Sequence, residues 1–454
     1  MSVYADFLAS KSRVIPDAGR QSDIADLSLF DHQRALVQWA LRRGRCALFA
    51  DTGLGKTRME LAWAHSLGVD TLILTPLAVA QQMVAEGRDI GVDVTVVREG
   101  GDVRPGINVC NYERIHKLDC SRFQAVVLDE SSVIKHADTR TFATLTDTFK
   151  RTPYRLCATA TPAPNDWTEL GTHAEFLGIC SRVEMLSEFF VHDGGDTQVW
   201  RLKGHARREF WKWVAGWGAM VRMPSDLGFD DARYKLPELR FHEHTVASLN
   251  KTQGMLFALE AATLSDRRDA RRESINERIE ACVERVNGDM QPWVVWCDLN
   301  AESDALTKAI DGAVEVRGSM TIDEKEAALA KFASGDARVI VTKPSISGWG
   351  LNWQHCARVA FVGVTDSWEA YYQAVRRCWR FGQSRPVEVH VFASEREGSV
   401  VSNLKRKETD AKVMAEQLSA ETMSAVRESV GMTSRQTNEY NAQSKINVPE
   451  WLAA

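Results

Sequence analysis

The sequence predicts an α/β protein with two lobes, each a parallel sheet flanked by helices, and a helical segment between them. Short apolar runs alternate with helix-length segments over two stretches of the chain, a pattern typical of buried parallel strands in a βαβ series. A glycine-rich turn joins the first of these runs to a helical segment, as in a strand–loop–helix unit. Between the two series, the sequence becomes aromatic, basic and helical in period, which separates one lobe from the other.

The composition fits this class and excludes several others. The chain has 454 residues, of which 44% are hydrophobic and 26% charged, so it is neither a disordered nor a collagen-like chain. The formal net charge is -5, so a nucleic-acid site has to be a local basic surface. The nine cysteines include no C-x-x-C pair, which favours reduced thiols and a cytoplasmic location. No apolar stretch approaches ~20 residues, and the first residues lack the pattern of a signal peptide, so we expect no membrane association.

The first βα series predicts six strands and follows a polar lead-in. Its apolar runs are CALFA (46–50), TLILT (71–75), VTVV (94–97), NVCN (108–111), AVVLDE (125–130) and RLCATA (155–160). The second series predicts five strands, at WVVWCD (293–298), VEVRG (314–318), RVIVT (338–342), RVAFVG (358–363) and VEVHVF (387–392). The predicted units are therefore a lead-in (1–28), a first lobe (29–186), a helical insert and linker (187–288), a second lobe (289–400) and a C-terminal helix with a polar tail (401–454).

The segment between the lobes is open to two interpretations. Residues 201–222 are rich in aromatic and basic side chains and contain no evident strand. Their aromatic residues recur at helical spacing, which favours packing into a core, as expected for Phe210, Trp213, Trp217 and Met220. Basic residues on the same segment can instead contact phosphates, the candidates being Arg207, Arg208 and Lys212.

The most specific motif in the sequence is Ala50-Asp51-Thr52-Gly53-Leu54-Gly55-Lys56-Thr57. It fits the phosphate-binding loop pattern, with alanine in the first position, where glycine is usual, and it lies between a predicted strand and a predicted helix. Backbone N–H groups in such a turn surround phosphate oxygens, and the helix N-terminus adds favourable partial charge. The motif predicts that Thr52, Gly53, Gly55, Lys56 and Thr57 bind ATP, with Lys56 on the β- and γ-phosphates and Thr57 on Mg²⁺.

An acidic pair, Asp129-Glu130, ends the predicted strand AVVLD. An aspartate at the end of a neighbouring strand can hold Mg²⁺, and the glutamate after it can polarise the attacking water. Taken alone, an Asp-Glu pair after a strand is commonly a solvated turn. Because this pair follows a phosphate-binding loop in the same βα series, it predicts that Asp129 and Glu130 are catalytic and that Asp129 is also a metal ligand.

Several further motifs follow in a characteristic order. They are Gln33 in LFDHQRALVQWAL, DESSVIKH (129–136), Thr159-Ala160-Thr161-Pro162 with Asn165 and Glu169-Leu170, VTKPSISGWGLNW (341–353), and the run from Gln373 to Gln383, QAVRRCWRFGQ. In this combination, over roughly residues 29 to 395, the chain resembles the superfamily 2 helicases, specifically the Swi/Snf-like DNA translocases of the compact type carried by bacteriophages and bacteria.

The resemblance implies two RecA-like lobes and assigns further roles. It implies that Gln33 reads adenine, that Gly350 joins the ATP site, and that Arg377 and Arg380 are arginine fingers with a catalytic role. Ser132 stands where the family usually has histidine. The residues that the resemblance implies for nucleic-acid binding lie in the corresponding segments of both lobes: Thr75, Pro76, Asn111, Tyr112, Thr161, Thr342 and Lys343.

The functional hypothesis is an ATP-dependent, Mg²⁺-dependent motor that moves along DNA, with duplex favoured because of the resemblance. Two alternatives remain open. One is a strand-separating helicase on DNA or RNA, which a wedge or pin hairpin would favour. The other is a nucleotide-gated DNA-binding scaffold that does not cycle. The chain could also serve a larger assembly, with a nuclease, methylase or replication protein as partner.

Overall fold

The computed structural model describes residues 17–22, 24, 27–76, 79–164, 166–193, 196–246, 272–347, 352–363 and 367–395, together with residues 423, 426, 427 and 430. Some predictions lie outside these residues. Among them are the roles of Asn165 and Gly350, and the packing expected of Leu404, Val413 and Leu418 in the C-terminal helix.

The first lobe is built on a seven-stranded, wholly parallel sheet. Its strands are β1 (Arg45–Ala50), β2 (Thr71–Thr75), β3 (Val94–Val96), β4 (Ile107–Asn111), β5 (Ala125–Asp129), β6 (Tyr154–Ala158) and β9 (Gly218–Val221). They lie in the order β3-β4-β2-β5-β6-β1-β9. The six strands predicted for this lobe are confirmed, and β9 is an addition.

Helices cover both faces of this sheet. They are α1 (Asp31–Arg43), α2 (Lys56–Leu67), α3 (Ala80–Ile90), α4 (Arg140–Phe149), α5 (Leu170–Leu177), α6 (Arg182–Phe189) and α7 (Arg207–Trp217). Successive residues of a strand enter opposite cores: Leu48 packs in the cluster under α1 and α2, and Phe49 in the cluster under α5 and α7. Burial on both faces explains why the strands read as continuous apolar runs rather than as alternating ones.

The second lobe is a six-stranded parallel sheet of the same kind. Its strands are β10 (Leu239–Val246), β11 (Trp293–Cys297), β12 (Ala313–Val316), β13 (Val339–Thr342), β14 (Arg358–Val362) and β15 (Val387–Ser394), in the order β10-β15-β14-β11-β13-β12. The helices are α8 (Ile275–Asn287), α9 (Asn300–Ala309), α10 (Ile322–Ser334), the short α11 (Pro344–Ser347) and α12 (Trp368–Val375). The five predicted strands of this lobe are confirmed. The protein therefore consists of two RecA-like lobes.

The prediction that residues 187–288 form a strand-free helical segment is wrong. An antiparallel hairpin, β7 (Phe190–Asp193) with β8 (Asp196–Leu202), precedes α7. After α7, β9 adds to the edge of the first sheet beside β1, and β10 adds to the edge of the second sheet beside β15. The chain crosses between the lobes from Val221 to Leu239, and the unit boundaries given by the sequence remain predictions.

The expected packing of the aromatic segment is confirmed. Phe210, Trp213, Trp217 and Met220 are all buried in the first lobe. In the C-terminal region, Val426 is buried against the core of the first lobe, and Arg427 donates hydrogen bonds of 2.7 Å to the carbonyl groups of Ser225 and Asp226. None of the described helices is long and apolar enough to span a bilayer.

Candidate functional site

A cavity of about 260 Å³ lies between the two lobes, at the carboxyl ends of the first lobe's strands. In doubly wound α/β sheets this edge is where ligands bind. Ten of the lining residues are ones that the sequence predicted for the site. Eight belong to the first lobe, Gln33, Thr52, Gly53, Gly55, Lys56, Thr57, Asp129 and Glu130, and two to the second, Arg377 and Arg380. The structure thus brings together, in one cavity, the glycine-rich loop, the acidic pair and the arginine pair.

The glycine-rich loop needs its glycines for two different reasons. Gly53 and Gly55 have φ values of 94° and 85°, a region that favours glycine. A Cβ on Gly53 would lie 3.1 Å from the backbone N of Phe381 in the second lobe, so the two lobes approach closely here. A Cβ on Gly55 would lie 2.2 Å from Nε2 of Gln33. Gln33 donates to the carbonyl of Leu54 at 2.9 Å, so its amide supports the loop as well as lining the cavity.

Lys56 begins α2, directly after the loop, and its ammonium group lies inside the cleft. The Nζ atom donates to the carbonyl of Ala50 at 3.0 Å. Burial lowers the pKa of Lys56, and the nearby carboxylates of Glu130, Asp51 and Asp129 oppose that shift. A half-buried ammonium group that lines the cavity beside the glycine-rich loop is suited to phosphate oxygens.

Asp129 ends β5 and is held by neighbouring strands. Burial, and then the charge of Glu130, raise the pKa of Asp129 above the usual range of a carboxyl group, whereas Lys56 and a hydrogen bond from Thr75 lower it. Tyr112 donates its hydroxyl to the Asp129 carbonyl at 2.7 Å, which fixes the end of the strand. Because a divalent cation stabilises the ionised carboxylate, this carboxyl group is suited to hold Mg²⁺.

Glu130 is unusual in its backbone and in its side chain. Its φ of 53° makes it the one non-glycine residue with positive φ among the described residues. Its Oε2 atom is buried and has no hydrogen-bond partner within the described structure. Left-handed backbone strain at a non-glycine residue clusters at functional sites. The geometry therefore leaves a carboxylate oxygen in the cavity that is available to a water molecule.

Arg377 and Arg380 reach the cavity from the segment that follows α12. Arg377 is oriented by Gln373, donating to its carbonyl at 3.0 Å and to its side-chain Oε1 at 2.9 Å. Burial, and then the charges of Arg377 and Arg376, lower the pKa of Arg380 to about 9. Crowded, buried guanidinium groups favour an anion, and Arg is the side chain best suited to fork onto phosphate.

Sequence reasoning missed the contact that joins the lobes. Arg376 donates to Oδ1 of Asp51 at 3.1 Å and to the carbonyl of Thr52 at 2.9 Å, and Tyr372 donates its hydroxyl to the same Asp51 oxygen at 3.1 Å. The Arg376 side chain is only 6% exposed. We call this group the Asp51–Arg376 contact. It ties a position that the loop pattern leaves unspecified directly to the second lobe.

An aromatic wall of the cavity was also missed. Phe30, Tyr234 and Phe381 line it, with ring centroids 6.2 Å apart for Phe30 and Tyr234 and 4.9 Å apart for Tyr234 and Phe381. The three rings come from before α1, from the linker between the lobes and from the second lobe. Such a wall suits the face of a nucleotide base. No local motif could have revealed it, because the residues meet only in the fold.

The residues predicted to bind nucleic acid lie at the carboxyl ends of strands, but several are buried. Thr75 is fully buried beside Asp129, and Thr342 is fully buried with its hydroxyl donating to the carbonyl of Val316 at 2.9 Å. Asn111 and Thr161 are each 8% exposed. The remaining three are half-buried: Pro76, Tyr112 and Lys343. Their assignment to nucleic acid stays a prediction.

Ser132 stands where the family that the chain resembles usually has histidine. A histidine from another segment, His173, lies next to its neighbour Ser131. The Ser132 hydroxyl is buried and has no hydrogen-bond partner in the described part of the chain. Its neighbour Ser131 lies 3.2 Å from Nε2 of His173 on α5, and the other ring nitrogen lies 3.4 Å from the carbonyl of Glu169. Burial lowers the pKa of His173 to about 4, so the ring is neutral near pH 7. His173 therefore links the acidic loop to the segment after β6.

The residues present fit a magnesium-bound nucleoside triphosphate. Thr52 and Glu130 both line the cavity. Each has a buried oxygen atom, Oγ1 and Oε2 respectively, without a hydrogen-bond partner among the described residues. Lys56, Arg377 and Arg380 supply cationic groups for phosphates, and Thr57 and Asp129 supply oxygen ligands of the kind that Mg²⁺ prefers.

A comparison with known protein families matches one family model to part of the chain. Residues 274–382 match the family model described as helicase conserved C-terminal domain, a stretch that begins beside α8 and includes both Arg377 and Arg380. No curated protein matches the chain. The match supports a helicase of superfamily 1 or 2, and with it a helicase-type, nucleic-acid-dependent ATP hydrolase.

Proposed function

We propose that this protein is a DNA-stimulated ATPase that uses ATP and Mg²⁺ to translocate along duplex DNA. One observation carries the proposal: residues of both lobes line a single cavity that has the groups expected around a nucleoside triphosphate. A nucleotide in such a cavity is a link between two rigid lobes. Its hydrolysis removes the link, so each cycle changes the relation of the lobes to one another.

Each residue group has a separate part in this cycle. The loop N–H groups and Lys56 bind the β- and γ-phosphates, and Thr57 and Asp129 hold Mg²⁺, which supplies charge neutralisation when bound. Glu130 orients and polarises the attacking water. Arg377 and Arg380 stabilise negative charge as it develops on the transferred phosphoryl group, a contribution worth roughly 10³–10⁵ in rate for an arginine finger.

Phosphate release measured with duplex DNA, single-stranded DNA and RNA at several salt concentrations tests the proposal. We expect duplex DNA to give the largest stimulation, and the stimulation to fall steeply with salt because phosphate contacts release counterions. Lys56→Ala should abolish turnover. Turnover that no nucleic acid changes would instead support a non-cycling scaffold.

A strand-separating helicase is the second candidate, and the β7–β8 hairpin favours it. This hairpin (Phe190–Asp193 with Asp196–Leu202) is the kind of element that can act as a wedge. Triplex displacement and strand displacement, measured in parallel, distinguish the two motors. Triplex displacement without unwinding supports translocation along duplex DNA, whereas unwinding without triplex displacement overturns it.

A further inference from the structure

A second cavity, of about 310 Å³, lies in the first lobe beside the β7–β8 hairpin. Its size is at the low end of the range for small-ligand sites. We call it the hairpin cavity. It lies between β8, the start of α7 and a short 3₁₀ helix (Trp167–Glu169). Its lining is aromatic and basic: Trp167, Phe190, Trp200, Arg201, Leu202, Lys203, Gly204, Arg207 and Trp211.

The aromatic side chains of the hairpin cavity are held in place by the fold. Trp167 and Trp211 pack edge to face with ring centroids 4.8 Å apart. Trp200 is half-buried and packs on the ring of His192 at 3.7 Å across the hairpin. Trp211 is only 2% exposed, yet its indole Nε1 has no hydrogen-bond partner within the described structure. A buried donor left unpaired is costly unless a ligand accepts from it.

The charge at the hairpin cavity selects the class of ligand. Arg201 and Arg207 are exposed at its rim, whereas Lys203 donates to the carbonyl groups of Ser187 and Glu188 at 2.9 Å and 2.8 Å and so anchors the wall. Cationic groups around aromatic faces disfavour an ammonium ligand and favour an aromatic ligand that carries negative charge. Nucleotides have this combination, and proteins that bind single strands pair aromatic stacking with a basic surface.

We propose that the hairpin cavity binds an unpaired nucleotide of the DNA substrate, with the base among Trp167, Trp200 and Trp211 and the phosphate at Arg201 and Arg207. The inference rests on the proposed function and narrows its substrate to DNA in which duplex meets single strand. The duplex engages the motor, and the unpaired base occupies the hairpin cavity. A base offers a flat face that can stack on these indole rings.

The hairpin cavity is also connected to the nucleotide cavity through a short series of contacts. Trp167 belongs to the same 3₁₀ helix as Glu169, whose carbonyl contacts His173, and His173 contacts Ser131 next to Glu130. A base that stacks on Trp167 therefore contacts a segment that is linked to the loop of the water-polarising carboxylate. For this reason we expect DNA with a junction to stimulate hydrolysis more than blunt duplex of equal nucleotide content.

The test compares forked and blunt DNA of equal nucleotide content, by fluorescence anisotropy and by phosphate release. We expect Trp200→Ala to weaken binding of the fork about 10-fold, within the range that one base–aromatic stack provides. Binding of blunt duplex and the turnover it stimulates should change less than about 2-fold, and Trp200→Phe should restore most of the fork binding. Equal losses on both substrates, or no loss on the fork, would overturn the proposal.

Two matched arginine variants distinguish the loss of a local DNA contact from the effect of a change in overall charge. Arg201→Ala should reduce fork binding selectively, whereas Arg151→Ala, which removes the same charge from an exposed position before β6 that does not line the hairpin cavity, should not. Equal effects of the two variants would contradict a site at the hairpin cavity.

A cross-linking measurement on the wild-type protein keeps the inference testable if the variants fail to fold. Forked DNA with 5-iodouracil at the first unpaired position should cross-link to Trp167, Trp200 or Trp211, as identified by mass spectrometry. Cross-links confined to other regions would overturn the proposal. If wild-type turnover responds to no nucleic acid, the proposed function fails, whereas equal stimulation by fork and blunt duplex overturns only this inference.

Discussion

At the scale of single residues, Glu130 carries the clearest structural sign of a catalytic role. Its left-handed backbone costs of order 1–3 kcal/mol, and its buried Oε2 has no hydrogen-bond partner in the described residues. A purely structural residue gains nothing from either feature. Both are explained if the local fold directs this carboxylate at a water molecule near the γ-phosphate.

The Glu130→Gln variant tests this role without changing the volume of the side chain. The amide cannot accept a proton, so we expect kcat to fall by about 10²–10⁴, while ATP and DNA binding remain within a few-fold of wild type. Phosphate release under saturating DNA and equilibrium nucleotide binding are the measurements. A near-normal kcat would remove Glu130 from the reaction.

The Asp51–Arg376 contact predicts that the lobes approach one another even without nucleotide. Arg376→Gln and Asp51→Asn should each increase the distance between the lobes, and the double variant should have a smaller effect than the sum of the two, because both remove the same ion pair. Each single variant keeps one further bond: Asp51→Asn keeps that of Arg376 to the Thr52 carbonyl, and Arg376→Gln keeps that of Tyr372 to Asp51. Fluorescence energy transfer between dyes on the two lobes measures this distance. Asp304→Asn, which breaks the exposed ion pair with Arg317 at 2.9 Å, is the control and should have no effect. Additive effects of Arg376→Gln and Asp51→Asn would contradict direct coupling.

The raised pKa of Asp129 predicts how Mg²⁺ binding depends on pH. Because burial favours the neutral carboxyl group, a proton competes with Mg²⁺ at higher pH than it would at an exposed aspartate, whose pKa is about 3.9. We expect the apparent Mg²⁺ affinity to increase with pH through the range above that value. Mg²⁺ titrations of ATP-analogue binding measure it, and Asp129→Asn should remove this part of the dependence. A flat profile in the wild-type protein would contradict the prediction.

At the scale of secondary structure, the sequence predicted eleven strands of the two main sheets and missed two strands that lie at sheet edges. Strand β9 (Gly218–Val221) continues the aromatic helical pattern of α7 and cannot be separated from it by composition. Strand β10 (Leu239–Val246) lies at the edge of its sheet and is mostly exposed, with two histidines and a glutamate. Both strands are specified by the sheet edge that they complete rather than by their own residues.

The residues of the candidate site also divide into those that a local motif indicates and those that only the fold brings together. The meeting of the glycine-rich loop and the acidic pair in one cavity was predictable, because each follows a strand of the same parallel sheet and the carboxyl ends of such strands meet at one edge. Arg376 lies beside Arg377 in a run of basic residues, and only the approach of the lobes shows that it meets Asp51. Phe30, Tyr234 and Phe381 are far apart in the sequence, so no periodicity could associate them.

Helix packing in the second lobe depends on a buried ion pair. Arg278 on α8 and Glu302 on α9 are both fully buried, with Nη1 and Oε1 2.7 Å apart. Arg278→Ala leaves Glu302 as an uncompensated buried charge, so we expect a loss of about 3–5 kcal/mol in the free energy of unfolding of this lobe. Chemical denaturation measures the loss. As a comparison, Arg317→Ala removes ion pairs with Asp304 and Glu315 from an arginine side chain that is 40% exposed, and should cost about 0–1 kcal/mol. Similar losses for the two variants would contradict the assigned role of burial.

At the scale of the whole molecule, two RecA-like lobes meet across one cavity. The second lobe reaches the phosphate-binding loop at Phe381, through the Asp51–Arg376 contact and with the pair Arg377 and Arg380. Under the proposed function, the groups needed for phosphoryl transfer are divided between the two lobes. Hydrolysis is therefore expected to depend on lobe closure, which is how a nucleotide cycle can be converted into movement along DNA.

The most direct test of this account is the DNA-stimulated kcat of Arg380→Ala, measured together with its ATP affinity. If the second lobe stabilises the transition state of a nucleotide held by the first, kcat should fall by about 10³ or more, while ATP affinity stays within a few-fold of wild type. An unchanged kcat, or a loss of affinity with kcat preserved, would contradict the claim that the two lobes share one nucleotide.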